Sequence, residues 1–154
     1  MPPQTLVLDT NTVMALWVFE DPALHALRQS VEAGSVTLAT RADALEELRH
    51  VLAYRQFGLD PARQAALHAE YVALCSIIVA DTATPAALPA CRDRDDQKFL
   101  EIARDARATH LVSRDKALLR LNRHRLVRAL FAIVKPEAFP AADADDDTRA
   151  MANP

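Results

Sequence analysis

The sequence predicts an α/β fold in which a parallel sheet of about five strands is covered by helices on both faces. Five short apolar runs, at residues 5–8, 36–38, 76–79, 110–113 and 131–134, alternate with longer segments of helical periodicity. The first and fourth runs lead directly into polar or acidic residues, Asp9-Thr10-Asn11-Thr12 and Arg114-Asp115, as buried strands do when they deliver side chains to one edge of a sheet. A chain of 154 residues that is 51% hydrophobic is also the right size to bury one core.

Taken in order, Thr5-Leu6-Val7-Leu8 reads as a buried strand, and Asn11 or Thr12 is placed to cap a helix after it. Asp21-Pro22 puts a capping residue before a proline at a first helical position, and Leu24, Leu27 and Val31 form a stripe that ends at Gly34. A second strand follows at Val36-Thr37-Leu38. Leu45, Leu48, Val51 and Leu52 share one face of a helix from Arg41 to Tyr54, and Asp60-Pro61 opens another that runs to about Leu74.

Ser76-Ile77-Ile78-Val79 is a third strand, followed by a loop containing Pro85 and Pro89. A helix is expected from Asp95, as its cap, to Ala106, before the strand His110-Leu111-Val112-Ser113. The last strand is Phe131-Ala132-Ile133-Val134, with a short helix from Pro136. One domain therefore spans residues 1–140, and the Asp- and Ala-rich stretch 141–154 reads as a solvated, disordered tail.

Composition removes several function classes. With only Gly34 and Gly58, neither a dinucleotide-binding turn nor a phosphate-binding P-loop can be assembled. Cys75 and Cys91 form no short pair and have no histidine at ligand spacing, so a zinc site and a disulfide framework are not indicated. No signal peptide and no apolar run of about 18 residues is present, which makes a cytoplasmic protein without membrane association the expectation. A net charge of -3 excludes a broadly basic protein, although an acidic metal site would itself account for part of the deficit.

The residues that carry chemistry are carboxylates. If the strands before Asp9 and Asp115 are neighbours, the two side chains face each other across one sheet edge. Glu47 on its helix and Asp95-Asp96 at the start of theirs can aim at the same edge, with Asp93 in reach from the loop. Carboxylates crowded in this way repel, which raises at least one pKa or demands a hard divalent cation with oxygen ligands, Mg²⁺ or Mn²⁺. Such an ion activates water for in-line attack on a phosphodiester. Arg92, Arg94, Lys98, Arg114 and Lys116 flank these acids in sequence and are candidates to hold a substrate phosphate.

Four stretches, in order, resemble the motifs of the PIN-domain family. Leu6-Val7-Leu8-Asp9-Thr10-Asn11 is similar to its opening strand, Leu45-Glu46-Glu47-Leu48 to its Glu-Leu helix, and residues 91–100 to the acidic stretch of a bacterial branch described as toxins of toxin-antitoxin systems. His110-Leu111-Val112-Ser113-Arg114-Asp115 resembles the last acidic motif, and residues 133–139 resemble that branch's ending. Arg94 departs from the pattern, standing where proline is common.

The resemblance covers about residues 5–140. It implies a three-layer α/β/α sandwich and a metal-dependent endoribonuclease, with an antitoxin protein as partner and a homodimer as assembly. Asp9, Glu47, Asp96 and Asp115 become catalytic metal ligands, supported by Asn11 and Ser113, with Asp93 a further candidate. Among Asp93, Asp95 and Asp96, Asp96 is preferred for the third acidic position because Phe99, Leu100 and Ala103 then bury the same helix against the sheet.

Each member also has a plain structural reading. Asp9 and Asn11 suit a helix cap, Glu46 and Glu47 a solvated helix face, Asp93 a loop charge, and Asp115 a cap on the turn from Lys116 to Leu119. Thr12 and the five histidines have no assigned chemistry, and Trp17 and Phe19 read as core or dimer-surface residues, unless one stacks on a base. Two other functions compete. One is a catalytically silent module of this fold that binds RNA or protein. The other is an aspartyl-phosphate phosphatase, which Asn11 opposes because an amide cannot act as a general acid.

Overall fold

Strands β1 (Gln4–Leu8), β2 (Val36–Arg41), β3 (Cys75–Ile78), β4 (His110–Val112) and β5 (Ala132–Val134) form one sheet in the order β3-β2-β1-β4-β5. Every pairing is parallel. The chain moves from β1 outward through β2 to β3, then returns to the other side of β1 for β4 and β5. The boundary between β1 and β4 is thus the point where the winding reverses, and a crevice forms there at the C-terminal ends of the strands. The computed structural model describes residues 4–80, 83 and 85–139, so the tail expected at 141–154 lies outside the described residues.

Side chains alternate along each strand, and this divides the core in two. Leu6, Leu8 and Leu38 point to one face and meet α1 (Thr10–Trp17), α2 (His25–Glu32), α3 (Ala42–Leu52) and α4 (Pro61–Leu74). Val7, Ala39, Leu111 and Ile133 point to the other and meet α5 (Gln97–Asp105), α6 (Lys116–Arg120) and α7 (Arg125–Arg128). The result is the three-layer α/β/α arrangement, in which the apolar residues of the central strands β1, β2 and β4 are covered from both sides. Trp17 belongs to the first core, buried edge-on against Tyr71, whereas Phe19 is 56% exposed.

Several local expectations are corrected. Asp9 itself, not Asn11 or Thr12, caps α1, accepting the Thr12 backbone N–H at 3.0 Å. Asp21 caps a 3-10 turn, Pro22–Leu24, before α2 begins at His25. Asp93, not Asp95, caps the turn Arg94–Asp96 that precedes α5, because its carboxylate reaches the Asp95 N–H. Strand β2 runs on to Arg41, three residues beyond the apolar run, since Thr40 is buried and Ala39 packs on the second core.

Between Asp115 and β5, where the sequence offered no clear period, the chain forms α6, a 3-10 turn at Leu121–Arg123, and α7. These elements are too short to show a pattern, yet α6 and α7 each bury one anchor, Leu118 and Val127. After β5 a turn bonds the Ala138 N–H to the Lys135 carbonyl, and Phe139 packs edge-on against His110. The remainder of the helix expected from Pro136 lies outside the described residues.

Leu111 is fully buried in the second core, on a strand with neighbours on both sides. Leu111→Ala should lower the unfolding free energy by about 2–5 kcal/mol in urea denaturation; a drop below about 0.5 kcal/mol would contradict this placement of the core.

Candidate active site

β1 ends at Leu8 opposite Val112 of β4, so the next residue, Asp9, emerges beside Ser113 at the reversal point. Its backbone N–H donates to the Val112 carbonyl at 3.2 Å, which carries the pairing one residue past the strand. Its side chain is 6% exposed and fully engaged. The Thr12 hydroxyl donates to Oδ1 at 2.6 Å, and the Ser113 hydroxyl donates to Oδ2. Burial drives the Asp9 carboxyl above the ordinary range, these hydroxyl and amide donors pull it back, and nearby Asp115 adds to the rise.

Ser113 also accepts the Asp115 backbone N–H at 2.9 Å, so one hydroxyl links the two acidic positions. Asp115 caps α6 through the Leu118 N–H at 3.0 Å, as its plain reading expected. Both acids are therefore helix caps as well as members of the cluster. A capping carboxylate has one oxygen tied to the backbone, which fixes the side chain at the start of its helix.

Glu47 reaches the cluster from α3. Its Oε2 accepts the Thr10 hydroxyl, and its Oε1 meets Lys98 Nζ at 2.8 Å. Asp96 closes the 3-10 turn before α5 and is half-buried. Its carboxyl is pushed up to about 6, first by burial and then by the charges of Asp115, Asp93, Asp9 and Glu47. Asp96 thus feels each of the other candidate ligands.

A cleft of about 300 Å³ is lined by Asp9, Thr10, Asn11, Glu47, Asp93, Asp95 and Asp96, with Val51, Tyr54, Gln56, Phe57 and Phe99 completing the wall. The aromatic side is a shelf: Tyr54 stacks on Phe57 at 6.1 Å between centroids, and Phe19 meets Phe57 edge-on. Asn11 is exposed at the rim.

The flanking cations are dispersed. Lys98 is committed to Glu47 and donates to the Asp95 carbonyl. Arg114 turns away to Asp21 and Glu137. Lys116 lines a separate cavity, and Arg92 and Arg94 are exposed beside Asp93 and Asp95.

Two threonines complete the site without having been singled out as functional in the sequence. Thr10 and Thr12 follow Asp9 at positions whose hydroxyls turn back toward the acids, and the alternation Asp-Thr-Asn-Thr was the available signal. Tyr54 and Phe57 had none: the helix expected to reach Tyr54 stops at Leu52, and the 3-10 turn Arg55–Phe57 that follows places both rings.

The donor set is all carboxylate oxygen, which suits a hard divalent cation and no softer metal. Among the described residues no three acidic, histidine or cysteine side chains stand close enough together, as placed, to hold one ion. The chemistry of the donors fits such a cation, and the mutual repulsion registered at Asp96 is the charge imbalance that one would relieve.

That imbalance should be visible in stability. With its folded value raised above the unfolded 3.8 to about 6, Asp96 holds a proton more tightly in the folded chain. Its contribution therefore falls as pH rises between those values and is fully unfavourable above the upper one. Asp96→Asn should stabilise the metal-free protein at pH 7 by about 1 kcal/mol, allowing for solvent screening of a half-exposed group. The matching rise in the melting midpoint is about 2–4 °C, shrinking toward pH 4. An equal or lower midpoint at pH 7 would show that an ionised Asp96 carries no such penalty from burial and its acidic neighbours.

The family model for the PIN domain matches residues 5–117, which span β1 through the start of α6 and include all four candidate ligands. No curated protein and no solved structure matches the chain. PIN domains are in general metal-dependent nucleases, so the match assigns the chain at that coarse level to the hydrolases. A parallel sheet with its acids gathered at the winding reversal, and a family match over most of the domain, establish that this chain belongs to the PIN-domain family.

Proposed function

We propose that the chain is an endoribonuclease that hydrolyses RNA phosphodiester bonds with Mg²⁺ or Mn²⁺, and that it acts as the toxin of a toxin-antitoxin pair. The observation that supports this reading is the convergence of acids from separate elements: Asp9 after β1, Glu47 on α3, Asp96 before α5 and Asp115 after β4. Capping accounts for Asp9 and Asp115 singly, but a fold of this kind has no need to bring Glu47 and Asp96 to them, so the grouping points to chemistry.

In this reading Asp9, Glu47, Asp96 and Asp115 hold the cation, with Asp93 an additional ligand. The bound cation supplies activated water and neutralises charge on the phosphoryl oxygens. Ser113 and Thr12 hold the Asp9 carboxylate in one orientation, and Thr10 does the same for Glu47. Asn11 offers its amide N–H at the cleft rim to a phosphate oxygen, while Arg92 and Arg94 lie on the exposed loop where the strand would enter. Lys98 pairs with Glu47 at 2.8 Å.

An antitoxin would cover the acidic cleft with an arginine-bearing segment, and a homodimer is the assembly we expect. A catalytically silent nucleic-acid-binding module is the second reading. The Lys98–Glu47 pair favours it, since that ammonium already neutralises one candidate ligand.

The test is cleavage of end-labelled single-stranded RNA by the purified protein in Mg²⁺, in Mn²⁺ and in EDTA, beside Asp9→Asn and Asp96→Asn. Cleavage that requires metal and falls at least about 100-fold in both variants is expected. RNA left intact by the native chain in both metals, or cut equally by the variants, would leave the silent module as the better description.

A further inference from the structure

From Lys116 to Pro136 the chain carries Lys116, Arg120, Arg123, Arg125, Arg128 and Lys135 and not one Asp or Glu, within a protein whose net charge is -3. The fold gives the first part of this stretch a definite shape. Lys116 and Arg120 lie four residues apart on α6, and Arg123 ends the 3-10 turn after it. All three surround one open cavity of about 450 Å³ floored by Leu119.

The backbone beneath them is anchored. Leu118 and Val127 are buried, and the Asn122 side chain accepts the Ile133 N–H of β5 at 2.8 Å. The three cations stand at the surface, and among the described residues none has an ion-pair partner. By contrast, Arg28, Arg41, Arg49, Arg104 and Arg114 each hold a carboxylate. Like charges gathered around one cavity without counter-charges cost energy unless a polyanion spends part of its time there.

We infer that Lys116, Arg120 and Arg123 form a track for the phosphodiester backbone of a single RNA strand, leading away from the carboxylate cleft. The inference rests on the nuclease reading for the direction of the strand. Its own support is that α6 begins at the residue after Asp115, so the cations run from beside that acid, at Lys116, to the far end of one short segment, at Arg120 and Arg123. The four residues from Lys116 to Arg120 advance about 6 Å along the helix, and Arg123 continues in the same direction. A row of this kind suits successive phosphates better than a single small anion. The acidic cleft repels the same backbone, so cations placed beyond it bring the strand to the site and keep it there. Arg125 and Arg128 on the following α7 are exposed as well.

Fluorescence anisotropy of a labelled 12-nucleotide single-stranded RNA in EDTA, where no metal-dependent cleavage can occur, tests this on the full chain. The native protein should bind, and the paired substitution Arg120→Glu with Arg123→Glu should weaken binding at least tenfold. The variant's plot of log affinity against log salt should flatten by about 0.7 for each phosphate that it no longer neutralises. Arg120→Gln with Arg123→Gln should fall between the two, and it carries the test if charge reversal prevents folding.

Unchanged affinity and salt slope in a folded variant would overturn the track. So would tighter binding of a peptide spanning residues 141–154, which would assign the surface to an acidic polypeptide instead. Charge-dependent RNA binding without any cleavage in Mg²⁺ or Mn²⁺ would support the track and sink the nuclease reading alone.

Discussion

Repulsion among carboxylates gathered where the sheet reverses its winding is the constraint on which the rest of the site depends. Asp9 stands at its centre, buried at the end of β1 and restrained by hydroxyls on both oxygens. A buried carboxylate without such donors would take up a proton or move toward solvent. Ser113 and Thr12 oppose both without cancelling the effect of burial, and Ser113 ties Asp115 into the same arrangement. What remains unbalanced appears at Asp96, the half-buried member, whose proton affinity is raised first by burial and then by the other four acids. The site stores unfavourable electrostatic energy that a hard cation is suited to relieve.

Only a few architectures can gather acids in this way. Parallel strands that share one direction bring all their C-terminal ends to the same edge, and the reversal between β1 and β4 opens a crevice there. Helices then start at that edge, and their first residues are caps. Asp9 and Asp115 satisfy backbone N–H groups of α1 and α6 and contribute to the acidic cluster with the same side chains. Capping and site membership are therefore not alternatives for these residues. The capping bonds limit the rotamers open to each acid, which is useful for a site that must keep its shape while its charges repel.

Much of this was legible in the sequence because it rests on local signals. Leu6-Val7-Leu8 followed by Asp9, and Leu111-Val112 followed by Ser113 and Asp115, announce strands that hand acids to an edge, and the alternation with helices makes the sheet parallel. The pairing of β1 with β4 joins residues about a hundred positions apart, and no local pattern encodes it; in the sequence it stands only as a condition on the two acids. The cap at Asp93 is hard to place because three acids in four residues offer several equivalent caps, and the choice falls to the 3-10 turn that the following helix imposes. The cations resist reading for a related reason. Lys98 and Arg114 lie next to acids in sequence, yet tertiary packing commits them to Glu47 and to Asp21 and Glu137. The unpaired array falls instead on α6 and its following turn, elements too short to announce themselves.

The most direct measurement is the titration of the Asp96 side-chain carboxyl by ¹³C NMR, in the metal-free protein and with Mg²⁺ added. Burial together with repulsion within the cluster predicts a midpoint near 6 without metal and a marked fall toward the ordinary carboxylate range when the cation binds. A midpoint near the unperturbed 3.8 that Mg²⁺ does not move would mean that the acids neither crowd one another nor share an ion, and the central claim would fail.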